Sequence, residues 1–320
     1  MGISLEEVEK KVDKLEVLNI GGMNQYILQR GDNRENPLIL FLHGGPGNGQ
    51  IGYITDYQKE LEKHFIVVNW DQRGAGLSYS DNIEKESMNI EQFINDTIEV
   101  TNYLKTKFNK EKIYLMGHSW GSLLGMKVID KYPEFFYKYI GIGQVADMWE
   151  GEKICYDFVK EMATKENNKL ALQELDEIAP PPYDKALEGI QVIRKWVSEY
   201  DGTMKNGELV PTMYKGMEKS KYYNDEDIEK WEKGGTFSAI NMLDEILESS
   251  LFKEIKRVKI PVIFFGGKHD YTTPSKIAFK YLQKLKAPYK EFIWFENSAH
   301  MPMIEECEKF EKEVIKAFKN

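Results

Sequence analysis

Lys112-Ile113-Tyr114-Leu115-Met116-Gly117-His118-Ser119-Trp120-Gly121-Ser122-Leu123-Leu124-Gly125-Met126 is the stretch whose reading decides the fold. Lys112 to Met116 reads as a buried strand. Ser122 to Ile129 reads as a helix, stopped by Tyr132-Pro133. Strand, G-x-S-x-G, helix is the context of a nucleophile elbow. A serine on so sharp a turn sits in strained backbone, and side chains at positions 117 and 121 would collide with neighbouring chain. The turn also sets the serine at a helix N-terminus, where partial positive charge favours a developing anion.

Working outward, apolar strand runs alternate with helical patterns. Leu15 to Ile20 and Asn24 to Gln29 form a predicted hairpin around Gly21-Gly22. Pro37 to Leu42 is an all-apolar strand running into His43-Gly44-Gly45-Pro46-Gly47. A helix is expected over Tyr53 to Lys63. The next strand, Phe65 to Trp70, ends in Asp71-Gln72-Arg73-Gly74-Ala75-Gly76-Leu77-Ser78. Ile90 to Phe108 carries helical spacing, and Tyr139 to Gly143 is strand-like. The alternation returns with a strand at Ile260 to Phe265 and a helix at Ser275 to Lys286. A strand at Glu291 to Phe295 and a helix at Ile304 to Phe318 follow. This is the pattern of an α/β fold with a mostly parallel sheet that begins antiparallel.

Between about Gln144 and Phe252 the strand runs vanish. Charged helices appear at Glu152 to Lys165 and Asp184 to Tyr200, with aromatics and methionines between and after them. The expected organisation is a core of residues 1–143 and 253–320 with a helical cap inserted at 144–252. Large apolar residues are usually buried, so the cap aromatics are read as packing.

Composition narrows the function. The chain has 320 residues, 42% hydrophobic and 30% charged, with net charge −9 and a pI near 5.3. Acidity argues against non-specific nucleic-acid binding and against an anionic membrane surface. Cys155 and Cys307 make no C-x-x-C and read as free thiols of a reducing compartment. Residues 1–15 form a charged amphipathic run unlike a signal peptide, and no apolar window reaches transmembrane length. The expectation is a cytoplasmic protein acting on a small-molecule or short-peptide substrate, with no nucleic-acid or membrane partner, no metal and no cofactor.

A serine hydroxyl needs a base, and the base needs an orienting acid. Functional loops of open α/β sheets lie beyond the carboxyl ends of the strands. Ser119, Asp270 and His300 each follow a predicted strand, in the Ser, Asp, His order of α/β-hydrolases. His43, His64 and His118 precede the nucleophile, and His269 adjoins Asp270, which leaves His300 as base. Asp270 is the expected acid, with Asp147 as the alternative. The N–H of Trp120 and that of Gly45 are the expected oxyanion donors. Asp71 and Arg73 are read as braces of their glycine-rich loop. Glu150 and Glu152 follow the strand ending at Gly143 and are candidates to hold a substrate's ammonium, which is costly to bury without a counter-charge.

The blocks His43-Gly44-Gly45-Pro46-Gly47, Asp71 to Ser78 and His118-Ser119-Trp120-Gly121-Ser122 resemble the α/β-hydrolase superfamily, and within it the proline iminopeptidase-like serine peptidases. The resemblance covers the sheet regions and implies the same triad. It also implies cap glutamates that grip a free amine. Trp231-Glu232-Lys233-Gly234 looks like one such segment, making Glu232 the first candidate. The family's second acidic block is absent, and His118 stands where the family often has glycine. The leading expectation is a serine aminopeptidase on short peptides, with N-terminal proline among its targets. A carboxylesterase or amidase on small acyl groups is the runner-up. A non-catalytic binding protein on the same fold is the third reading, which a complete Ser, Asp and His oppose.

Overall fold

The computed structural model describes residues 10–319. Most of the charged amino-terminal run lies outside them. Eight strands form one sheet: β1 (Val12–Ile20), β2 (Met23–Gly31), β3 (Leu38–Leu42), β4 (Ile66–Asp71), β5 (Ile113–His118), β6 (Phe136–Ile142), β7 (Val262–Gly267) and β8 (Lys290–Phe295). Their order is β1-β2-β4-β3-β5-β6-β7-β8. β1 and β2 pair antiparallel, as do β2 and β4, and every later pair is parallel. Gly21 and Gly22 turn the first hairpin at φ +54° and +79°, the conformation a two-residue primed turn requires. Every residue of β3, β4 and β7 is buried, because helices cover both faces of the parallel part.

Core helices are α1 (Ile90–Lys107), α2 (Trp120–Lys131), α8 (Ser275–Lys284) and α9 (Cys307–Lys319). Asn89 caps α1 by accepting from the Gln92 N–H at 2.9 Å. α2 ends before Tyr132-Pro133, as its sequence predicts.

Two helices expected from the sequence are broken. Tyr53 to Lys63 yields a 3₁₀ turn at Ile54–Tyr57 and a short helical turn at Lys59–Glu62. Gln58 breaks the run because its buried amide pairs with that of Asn69, at 2.7 and 3.1 Å. The final helix likewise splits into a short turn at Pro302–Glu305 and α9. Glu306 sits at the break, accepting from the Asn297 N–H and the Ser298 hydroxyl.

Five helices of ten residues or more, followed by a short helical turn at Leu251–Glu254, lie between β6 and β7: α3 (Met148–Lys165), α4 (Lys169–Ile178), α5 (Ala186–Glu199), α6 (Leu209–Glu218) and α7 (Asp225–Leu247). The chain leaves and re-enters the sheet region at one place. Leu251 N–H donates to Ala146 O at 2.8 Å, and Asp147 bridges Ser250. α3, α4 and α5 share their own apolar cluster around Cys155, Val159, Ile193 and Trp196. Met213, Met217, Tyr223 and Trp231 instead pack into one core layer of the sheet, and Met242 and Ile246 into the other. The insert is therefore fastened down over the sheet. This architecture is the α/β-hydrolase fold.

Candidate active site

β5 delivers Ser119 into an abrupt turn. Its backbone lies at φ +55°, ψ −121°, a conformation costing about 1–3 kcal/mol for a residue with a Cβ. The flanking glycines are a steric requirement. A Cβ on Gly117 would stand 2.2 Å from Gly121 O, and one on Gly121 would stand 2.2 Å from Leu42 O. Ser119 immediately precedes α2, whose first N–H groups have no intrahelical partner.

Asp270 and His300 come from the loops after β7 and β8. Their side chains meet at 2.9 Å, His300 Nδ1 to Asp270 Oδ2, and both residues are buried. The Asp270 carboxylate is held by the backbone N–H groups of Thr272 (2.9 Å) and Thr273 (2.8 Å). The Thr273 hydroxyl lies 3.1 Å from Asp270 Oδ2, 3.2 Å from His300 Nδ1 and 3.0 Å from Gly143 O. It thus joins the ends of β6, β7 and β8. Asp147, the alternative acid, is elsewhere. It caps α3, accepting from Glu150 N–H at 3.0 Å, and receives the Ser250 hydroxyl.

Two other histidines support this arrangement. His118 packs against His300 with ring centroids 4.5 Å apart and planes tilted by 44°, and its Nε2 donates to His300 O at 3.0 Å. Burial, then the adjacent His300, hold its pKa well below the ordinary value, so the ring is neutral. His43 is buried and neutral, its pKa pushed down to about 4 by desolvation. Its Nδ1 donates to Gly44 O at 2.7 Å and its Nε2 accepts from Gln72 N–H at 3.0 Å. It fixes the glycine loop to the loop after β4.

The loop residues act as braces, through separate partners. Asp71 is buried, its pKa pushed up to about 6 by desolvation. It accepts from Tyr223 of the insert and from the N–H groups of Ile51 and Leu77. Arg73 pairs with Asp96 at 2.9 and 3.1 Å and donates to Gly21 O.

Ser119, His300, Gly44, Gly45 and Trp120 all line one cavity of about 460 Å³ between the strand ends and the inserted helices. Its far wall is mainly apolar, with Leu187 and Ile190 of α5, Met213 of α6 and Leu243 of α7.

The insert glutamates lie differently from expectation. Glu232 is exposed one turn N-terminal of Gly235, the first cavity-lining residue of α7, and takes a hydrogen bond from Tyr214. Glu150 is exposed and pairs with Lys153 at 2.6 Å; it lies two positions, about 200° of helix, from the cavity-lining Met148. Glu152 is buried, but behind the wall, where Arg194 and Tyr183 engage it. None of the three lines the cavity. Sequence reasoning missed His118, Thr273 and Arg194. A Thr-Thr-Pro following the acid was the one available signal, since it marks a helix entry close to Asp270.

The chain is similar to known proteins over most of its length. A probable aminopeptidase, YbaC of Bacillus subtilis (strain 168), is 38% identical over 304 residues, 94% of this chain and 95% of that protein. A proline iminopeptidase of Clostridium botulinum is 26% identical over 283 residues, 86% of this chain and 87% of that one. The solved proline iminopeptidase of Mycobacterium smegmatis superposes with a TM-score of 0.71 at 17% identity, covering 95% of this chain and 97% of that one. An esterase of Exiguobacterium antarcticum superposes at 0.64 and 17% identity, covering 95% and 99%. At such identities the likeness speaks for the fold. Residues 34–307 match the model of one family, and with it this chain belongs to the serine aminopeptidase S33 family of α/β-hydrolases.

Proposed function

We propose that the protein is a serine hydrolase in which Ser119 is the nucleophile, His300 the base and Asp270 the orienting acid. The observation that carries this is the 2.9 Å pairing of Asp270 with His300 Nδ1 at the edge of the cavity that Ser119 also lines. With Nδ1–H donated to Asp270, Nε2 of His300 is left to accept the Ser119 proton. Ser119 Oγ attacks the substrate carbonyl, and the oxyanion is received by the N–H groups of Trp120 and Gly45. His300 then protonates the leaving amine or alkoxide, and water releases the acyl group from Ser119 by the reverse route. Helices 144–252 serve as a cap over a core of residues 1–143 and 253–320, forming the acyl pocket.

Family membership favours an aminopeptidase releasing an N-terminal residue from a short peptide. A second reading, a carboxylesterase or amidase on small acyl groups, is supported by a specific feature: among the described residues, no Asp or Glu lines the cavity. A binding protein without catalysis would have no use for a strained serine. The test is a panel of proline, alanine and leucine arylamides beside short-chain aryl esters, with fluorophosphonate labelling of Ser119. Arylamide turnover with labelling supports the aminopeptidase. Turnover of esters alone moves the reading to the esterase, and failure to label Ser119 rejects both.

A further inference from the structure

One face of α5 meets the cavity through Leu187, Ile190, Gln191, Arg194 and Ser198, positions that recur every three or four residues. Arg194 stands out. Lysine, aspartate and glutamate are absent from the described lining residues, so its guanidinium is the one permanently charged group there. Its side chain is 27% exposed, whereas its partner Glu152 is 2% exposed and does not line the cavity. Glu152 takes two of the five guanidinium donors: Nη2 bonds Oε1, and Nη1 lies 3.4 Å from Oε2. The pair joins α3 to α5 and orients the fork, leaving the remaining donors for a ligand. Glu152 lines only a recess of about 20 Å³ that shares Val145, Met148, Thr272 and Thr273 with the cavity, so a substrate in the cavity meets the cation first.

From this arrangement we infer that Arg194 is a specificity-determining residue that receives a carboxylate on the acyl part of the substrate. A planar guanidinium held from behind suits carboxylate geometry and pays little rotamer entropy on binding. Beside Arg194 a carboxylate is attracted and an ammonium repelled, so in a substrate that carries both, the side-chain carboxylate and not the α-ammonium faces α5. The preferred substrates are then acyl groups with a distal carboxylate: an acidic N-terminal residue if the leaving group is an amine, a dicarboxylic half-ester if it is an alcohol. This rests on the serine hydrolase reading above and deepens it.

The experiment compares pairs that differ in that one charge. Glutamyl and glutaminyl 4-nitroanilides form the amide pair. The 4-nitrophenyl half-ester of glutaric acid and 4-nitrophenyl valerate form the ester pair. Whichever pair is turned over should show a charged-to-neutral ratio of kcat/KM of about ten or more. Arg194→Met should cut that ratio at least tenfold, chiefly through KM. Because Arg194→Met strands a buried Glu152, the double variant Arg194→Met/Glu152→Gln is measured as well, and the same loss is expected. Glu152→Gln alone should raise the ratio, since the guanidinium is then no longer neutralised. A wild-type ratio of one or less overturns the proposal. So does a ratio that the double variant leaves unchanged, which would make the pair a strut between two helices. Turnover of the neutral members and labelling of Ser119 report on the underlying hydrolase separately.

Discussion

Replacing Gly121 by alanine tests the elbow. The new Cβ would lie 2.2 Å from Leu42 O, 2.6 Å from Leu42 C and 2.6 Å from His43 O. Real Cβ contacts stay beyond 3.0 Å, so the chain must open by about 0.8 Å there. The obstacle is backbone at the end of β3, where Leu42 is paired with Trp70 on one side and Gly117 on the other. It has no rotamer to change. Overpacking of this kind costs about 1–3 kcal/mol, offset by about 1 kcal/mol of helix propensity for alanine over glycine. Stability should therefore fall only modestly. Activity should fall further, because Leu42 and His43 carry Gly44 and Gly45, which line the same cavity as Ser119. A misplacement near 1 Å costs about a hundredfold in rate. The assay is kcat on an aryl ester together with thermal unfolding by circular dichroism. Gly22→Ala is the control: it has the same φ problem as other left-handed glycines but nothing within 4 Å of the new Cβ. It should lose about 1 kcal/mol and no activity. If Gly121→Ala keeps kcat within threefold of wild type, or if Gly22→Ala loses as much activity, the steric account of the elbow is wrong.

Three further outcomes are expected. Asp270→Asn should lower kcat by up to about ten-thousandfold by allowing the wrong imidazole tautomer, whereas Asp147→Asn should leave kcat nearly intact; the reverse ranking in purified variants would reassign the acid. Thr273→Val should cost about tenfold in kcat with little change in KM, the worth of about one hydrogen bond, and unaltered kcat would make the hydroxyl a bystander. Asp71, with a carboxyl pushed up to about 6 from an ordinary 3.8, holds its proton more tightly when folded. Its stabilising contribution is thus complete below about pH 4 and lost as pH rises through about 6. The stability of wild type relative to Asp71→Asn should fall by about 2 kcal/mol between pH 4 and pH 7, and a difference flat with pH would contradict this.

The sequence by itself determined the features that depend on neighbours along the chain. Glycines at 117 and 121, an apolar run before them and a helical period after them specify the turn at Ser119, because each constraint acts within a few residues. Alternating strand and helix runs specify the parallel sheet, and so place Asp270 and His300 at its carboxyl edge. The broken helices at Gln58 and Glu306 were not legible, because hydrogen bonds from other segments, Asn69 to Gln58 and Asn297 and Ser298 to Glu306, accompany the breaks. Only the tertiary structure decided which acid meets His300. Asp147 and Asp270 both follow strands, and the sheet order alone sets β7 beside β8. It also decided which insert residues face the cavity. Glu150, Glu152 and Glu232 are all plausible by position, yet helix rotation and packing turn them outward or behind the wall, and bring Arg194 to its surface. Charge in a sequence has a sign and a position; the direction in which it points is set by what the helix packs against.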